Sequence, residues 1–217
     1  MVQFTKIFMA VSALMAVSAL MASTVMAVPT PASSPAPVSS SAGTACLNVL
    51  NNDLTPVKSS IATLQNALDN YDGSIWEILE LLGISGDAHS LQGVLKQTNE
   101  DAQNCAGLDE SDTLSLATPF ASLLPFVQTL LNTLVEKKND LDHAVLYFGS
   151  ASPIVANLIS QMKSSFDEVI TSIEGRVPST FESIIANLGS EVDGWFTTTS
   201  NAYSGSSYIS LPCLIFC

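Results

Sequence analysis

Positive charge is what this chain has least of. Seven lysines and arginines stand against twenty aspartates and glutamates in 217 residues, a net charge of −13. Phosphate recognition needs clustered cations, so the balance argues against nucleic acid as a partner. It argues equally against docking on anionic lipid, which attracts polybasic segments. Histidine and cysteine are nearly as scarce, at two and four residues, and no C-x-x-C occurs, so neither a metal site nor a cofactor is expected. Catalytic signatures are missing as well. There is no G-x-S-x-G turn to expose a nucleophilic serine, and no H-E-x-x-H, phosphate loop or dinucleotide fingerprint. Asp87-Ala88-His89 and Asp140-Leu141-Asp142-His143 are the acid–histidine clusters. Neighbours on a helix point in different directions, so these read as solvated faces. The expectation is that the chain is no enzyme. Two carboxylates meeting in space, as glycosidases require, leave no local mark, and a secreted hydrolase stays as the minor alternative.

Apolar side chains, by contrast, make up 47% of the residues. Part of that share lies in a segment read as an address. Lys6 is the one charge before Asp53, and Ile7 to Val28 carries no ionisable group. Val25-Met26-Ala27 then offers small residues at a cleavage point between Ala27 and Val28. A basic start, an apolar middle and a small-residue exit make a secretory signal over residues 1–27. A membrane anchor is the rival, since 22 apolar or small residues are long enough to cross a bilayer, but Ala and Ser insert weakly. Removing the signal takes away one lysine, changes −13 to −14 and leaves no expected transmembrane span. A secreted, acidic protein with oxidisable cysteines is expected. Residues 28–45 follow as a Ser/Pro-rich leader, too poor in large apolar groups to build a core and suited to O-glycosylation. No Asn-x-Ser/Thr sequon is present, so N-glycosylation is not expected.

From Cys46 the apolar period is that of helices. Leu54, Val57, Ile61, Leu64, Leu68 and Tyr71 recur at steps of three and four on one face. Asp72-Gly73 breaks this helix, and Ser74 with Glu77 forms a capping box for a short one through Trp76, Ile78, Leu79 and Leu82. Gly83 and Gly86 punctuate its end, and a third helix starts at Asp87. Thr118-Pro119 opens a long helix whose stripe runs from Phe120 through Leu123, Val127, Leu130 and Leu134 to Leu141, Val145 and Phe148. Pro125 kinks it or marks its true start. Gly149 ends it, and Ser152-Pro153 opens the next helix, with Val155, Leu158, Met162, Phe166, Val169 and Ile173 on one side. After Pro178, Ser179 with Glu182 forms a second capping box before a helix through Phe196. No alternating strand pattern appears between Cys46 and Phe196. The fold class is all-α, a single bundle of five or six amphipathic helices over residues 46–198, with a polar then apolar tail over 199–217.

In a secreted chain Cys46, Cys105, Cys213 and Cys217 are read as disulfide partners, with three pairings open. Cys46–Cys105 is the favoured one, tying the entry of the first helix to the exit of the third. Cys213 and Cys217 then pair locally or remain for another chain. The apolar faces must mostly be core, yet they are wide enough to enclose an alkyl chain or to open against an oily surface. Lys138 interrupts the stripe between Leu134 and Leu141. Its stem either lies along the apolar face with the ammonium in water, or the ammonium meets a fatty-acid carboxylate at a cavity mouth.

Residues DLTPVKSSIATLQNALDNYDG, from Asp53, and LLNTLVEKKNDLDHA, from Leu130, following a signal and a Ser/Pro-rich leader, resemble the fungal hydrophobic surface-binding protein A family. That family includes the cell-wall galactomannoproteins. The similarity spans roughly Leu47 to Phe181. It implies a secreted, non-enzymatic helical bundle that adsorbs to hydrophobic surfaces, assists polymer-degrading enzymes there, and in related modules holds fatty acids. The implied apolar lining transfers to helix positions Leu64, Leu68, Phe120, Val127, Leu130, Leu134, Leu158, Met162, Phe166 and Val169. The implied partners are a fatty acid or other lipid, or a hydrophobic polymer surface, outside the cell or in its wall. The helix from Phe181 to Phe196 and the Cys213/Cys217 tail lie beyond the usual module, where they bear on ligand access. A structural cell-wall mannoprotein without a small ligand is the alternative role.

Overall fold

A computed structural model describes residues 41–72, 78–143 and 151–204. The signal sequence and its Ala27–Val28 exit, the leader through Ser40, the Ser74/Glu77 box, Trp76, Val145, Phe148, Gly149 and the Cys213/Cys217 tail lie outside them. Among the described residues are six helices and no strand. They are α1 (Ser41–Asn70), α2 (Ile78–Asn104), α3 (Glu110–Glu136), α4 (Lys138–His143), α5 (Ser152–Glu174) and α6 (Ser179–Tyr203).

The stripe read from the sequence is the buried face of α1: Leu50, Leu54, Val57, Ile61, Leu64 and Leu68. The helix starts at Ser41, inside the segment expected to be leader, because Gly43 and Cys46 are already buried there and a disulfide joins Cys46 to Cys105. The favoured cysteine pairing is therefore present.

Three helix boundaries differ from expectation. Residues 78–104 form one helix instead of two, running through Gly83 and Gly86. Each glycine costs about 1 kcal/mol against alanine, but Ile84, Ala88, Leu91, Leu95, Thr98 and Ala102 make one buried stripe across both. Helix α3 starts at Glu110, not Thr118. Asp109 accepts a hydrogen bond from the Asp112 N–H at 2.8 Å and supplies the cap, while Pro119 and Pro125 sit inside the helix. Each proline removes one backbone bond, outweighed by an unbroken inner face from Leu116 through Phe120, Leu123, Val127, Leu130 and Leu134. The stripe expected to continue to Leu141 in one helix is cut at Lys137. That side chain turns to the C-terminus of α1, bonding the carbonyls of Tyr71 and, at 3.4 Å, Asp69, where a cation meets the negative end of the helix dipole.

The last two helices follow the sequence more closely. Pro153 sits in the first turn of α5 as expected. Helix α6 begins at Ser179, but Pro178 holds the cap position and no side chain bonds there, so the Ser179/Glu182 box does not form. Its end is later than the expected Phe196. Thr199 and Tyr203 are buried, and their hydroxyls donate to the carbonyls of Leu131 (3.5 Å) and Leu134 (2.6 Å) on α3.

Each long helix packs mainly on two others, in the cyclic order α1, α2, α5, α6, α3 and back to α1. Side-chain contacts fix the directions. Gln65 bonds Thr133 at 2.7 Å and Lys58 lies over Phe126, so α1 and α3 run parallel. The Thr199 and Tyr203 bonds make α3 and α6 parallel too. Asn99 meets Glu168 and Ser172 while Arg176 meets Ala102, so α2 and α5 are parallel. Three helices thus rise on one side of the ring and two descend on the other. At the Cys46 end, residues 105–109 carry the chain from α2 to α3, which are not principal neighbours. This link is tied by the disulfide, by the Leu108 N–H to the Arg176 carbonyl at 2.7 Å, and by Arg176 donating to the Ala102 and Gln103 carbonyls.

Candidate functional site

Five amphipathic helices in a ring turn their apolar stripes to a common centre. All ten residues expected to line a lipid site (Leu64, Leu68, Phe120, Val127, Leu130, Leu134, Leu158, Met162, Phe166 and Val169) are buried in this one cluster. They are not equally enclosed. Leu68 has no exposure and Leu64 and Val127 have 1%, whereas Phe120 and Leu158 keep 7% and Phe166 keeps 6%. Phe166 meets Phe196 of α6 with ring centroids 5.5 Å apart and planes tilted by 44°, a favourable aromatic geometry.

The wall is weakest along α6. Its C-terminal half is held by Val192, Phe196, Thr199 and Tyr203. From Ser179 to Glu191 no residue is fully buried, although Phe181, Ile184, Ile185 and Leu188 are large and apolar. The bonds from α6 to α3 lie near the far ends of the two helices, at Thr199 and Tyr203. The parallel register places Ile184 and Leu188 level with Leu116 and Phe120. Phe181, Ile185 and Leu188 pack against the core from this first half of α6 without being fully covered. The spacing marked Phe181, Ile184, Ile185, Leu188, Val192 and Phe196 as the apolar face of this helix but not the closing role of Tyr203. The signal was present: Thr199 and Tyr203 continue the step of three and four from Val192 and Phe196 beyond the expected end.

Lys138 lies at the opposite end of the ring, on α4. Its ammonium pairs with Asp142 and lies 5.8 Å from the centre of the Tyr203 ring. Asp142 also accepts from the hydroxyl of Ser152, which is fully buried. Burial and then the charge of Asp142 push the Tyr203 phenol upward, so it stays a neutral donor. This cluster joins α3, α4, α5 and α6. Ser152 is closed off from solvent and its hydroxyl is committed to the Asp142 carboxylate. A ligand carboxylate reaching Lys138 has to compete with Asp142.

The ring's outer side is polar between α2 and α5, where His89, Gln92, Lys96, Asn99, Glu100 and Glu168 line an open groove of about 470 Å³. His89 contacts Gln92 at 3.3 Å. Among the described residues no three His, Cys, Asp or Glu side chains are grouped to hold a metal ion.

The sequence profile of hydrophobic surface binding protein A matches residues 47–175, from α1 to the end of α5. No curated protein matches the chain. Among solved structures, the chain is similar to AFMP4P in complex with palmitic acid, with a TM-score of 0.67 and 21% identity, covering 72% of this chain and 99% of that one. It is similar to ligand binding domain 1 of the Penicillium marneffei MP1 protein complexed with arachidonic acids, with a TM-score of 0.66 and 16% identity over 73% of this chain and 98% of that one. Domain 2 of the same protein, also with arachidonic acids, gives 0.64 and 15% over 81% and 99%. At these identities the likeness is one of fold.

Proposed function

The chain belongs to the hydrophobic surface binding protein A family, and from that premise we propose that it is a secreted, non-enzymatic protein that takes the alkyl chain of a fatty acid between the inner faces of its helices. The observation that carries this reading is the ring itself. Five apolar stripes converge on one centre, and the first half of α6 leaves its large apolar side chains only half covered. Burying a hydrocarbon chain there yields about 0.8 kcal/mol per methylene, and no bond need be made or broken. Met162, flexible and polarizable, suits a site that repacks around its guest. The acidic exterior keeps the loaded protein in solution. Three of the similar structures are complexes with palmitic or arachidonic acid, which favours a fatty acid over other apolar ligands. Helping polymer-degrading enzymes at an oily substrate is the wider role this capacity would serve.

Native mass spectrometry of the protein from culture medium, before and after lipid extraction and reloading with palmitate, tests the reading. A mass increment of one or more fatty acids is expected. Leu158→Trp puts a bulkier side chain among the proposed lining positions and is expected to weaken palmitate binding at least about tenfold, or 1.4 kcal/mol. An extracted protein that takes up no palmitate overturns the proposal. Lys138→Ala binding palmitate as well as the parent removes Lys138 from the site.

A further inference from the structure

Family membership names a kind of surface; the structure assigns the face that meets it. We infer that the outer wall formed by α1 and α3 is the side of the molecule that lies against an uncharged hydrocarbon surface. The inference goes beyond the interior site and needs no ligand inside the ring.

Charge distribution is the first ground. From Thr113 to Val135 the chain has no ionisable side chain, so the whole outward face of α3 between its ends is uncharged. Leu114, Phe126 and Val135 are exposed on α3. Over Ser41–Leu68 the helix beside it carries two charges. Asp53 faces Asp101 of α2, whose charge acts on it. Lys58 lays its ammonium over the Phe126 ring, 4.4 Å from the centroid, a contact that strengthens when water is removed. The ionisable groups of the polar groove, Lys96, Glu100 and Glu168, lie on the far side of the ring. An ion pressed against hydrocarbon loses hydration at a cost of kilocalories, so this is the wall that can approach such a surface with least penalty.

Hydroxyl bonding is the second ground. The middle of the α3 face is Ser, Thr and Pro, which composition alone would score as polar. Ser115 donates back to the Ser111 carbonyl at 2.9 Å, Ser122 to Pro119 at 2.7 Å and Thr129 to Pro125 at 2.8 Å. On α1, Thr63 donates to Ser59 at 3.0 Å. The protons of these four hydroxyls are satisfied within the helices, so dehydrating them strands no donor. Charge and hydroxyl bonding thus match the wall to a neutral, apolar partner.

Adsorption to octyl-coated silica particles, measured alongside palmitate binding, tests the assignment. The double variant Thr118→Glu/Thr129→Glu places two carboxylates on the α3 face. Gln161→Glu/Thr171→Glu places the same charge on the outside of α5. The α3 pair is expected to raise the half-saturating concentration on the particles at least about tenfold and leave palmitate uptake intact, while the α5 pair changes neither. Ser122→Glu alone is expected to act in the same direction, which keeps the test open should the pair fail to fold. Equal adsorption by the α3 variants and the parent overturns the inference, and so does an equal loss from the α5 pair. A parent protein that light scattering shows to be a dimer, split by the α3 variants, overturns it too, since that face would then be covered by a second copy. Lost palmitate uptake with normal adsorption touches the interior site alone.

Discussion

Asp53 and Asp101 face each other across the α1–α2 contact, near the disulfide. Burial first, then the charge of Asp101 and a hydrogen bond to it, push the Asp53 carboxyl up to about 6 from its usual 3.8. A carboxyl raised on folding holds its proton in the native state where the unfolded chain has lost it. Its contribution is therefore whole below pH 4, falls between pH 4 and 6, and stays lost above. Asp53→Asn removes one of the two ionisable carboxyls and leaves Asp101 without a like charge beside it. Because the group is partly in water, a gain of about 1 kcal/mol at pH 7 is expected, shrinking to nothing at pH 4. Urea unfolding at the two pH values measures this; an equal effect at both shows that the carboxyl is not perturbed. Lys163 is the opposite case: hydrogen bonds to Asp193 and then Asp167 hold its ammonium above the ordinary value and join α5 to α6.

Glycine has two roles in these helices. At Gly86 a Cβ would meet nothing within 4 Å, whereas at Gly189 it would come within 3.1 Å of the Ile170 Cγ2, where α6 crosses close to α5. Gly86→Ala is expected to stabilise the protein by about 0.5–1 kcal/mol, and Gly189→Ala to gain nothing, both read from thermal unfolding. The contrast also explains what could be read in advance. Helical stripes such as Leu54 to Tyr71 were legible because burial imposes their spacing whatever the neighbours are. The burial of the ten positions named for the lining was legible for the same reason. Punctuation was not. Gly83, Gly86, Pro119 and Pro125 carry local costs of a kilocalorie or a few, and a long buried face offsets them without leaving a sequence mark. The turn at Lys137 depends on carbonyls at the end of α1, 66 residues away along the chain, which no local window contains. The exposed wall of α3 was hidden as well, because its serines and threonines turn their hydroxyls inward only once the helix exists.

Whole-molecule order was the least legible level, since five similar stripes can be arranged around a centre in many cyclic orders. One long-range tie was readable, the Cys46–Cys105 bridge, with a sequence separation of 59. Closing such a loop is worth about 4 kcal/mol on the chain-entropy estimate. Cys46→Ser with Cys105→Ser is expected to lose about that much in denaturant unfolding, and the oxidised parent to drop to the same level when reduced. Adjacent parallel helices have a further effect. The partners α1 and α3, α3 and α6, and α2 and α5 meet across some 70 residues of chain, so no short hairpin can close the circle. Helical proteins usually assemble fast through nearby pairings; here the last wall arrives with the last helix. A chain made only as far as α5 would leave four apolar stripes uncovered along one side, an adhesive trough that α6 is needed to close.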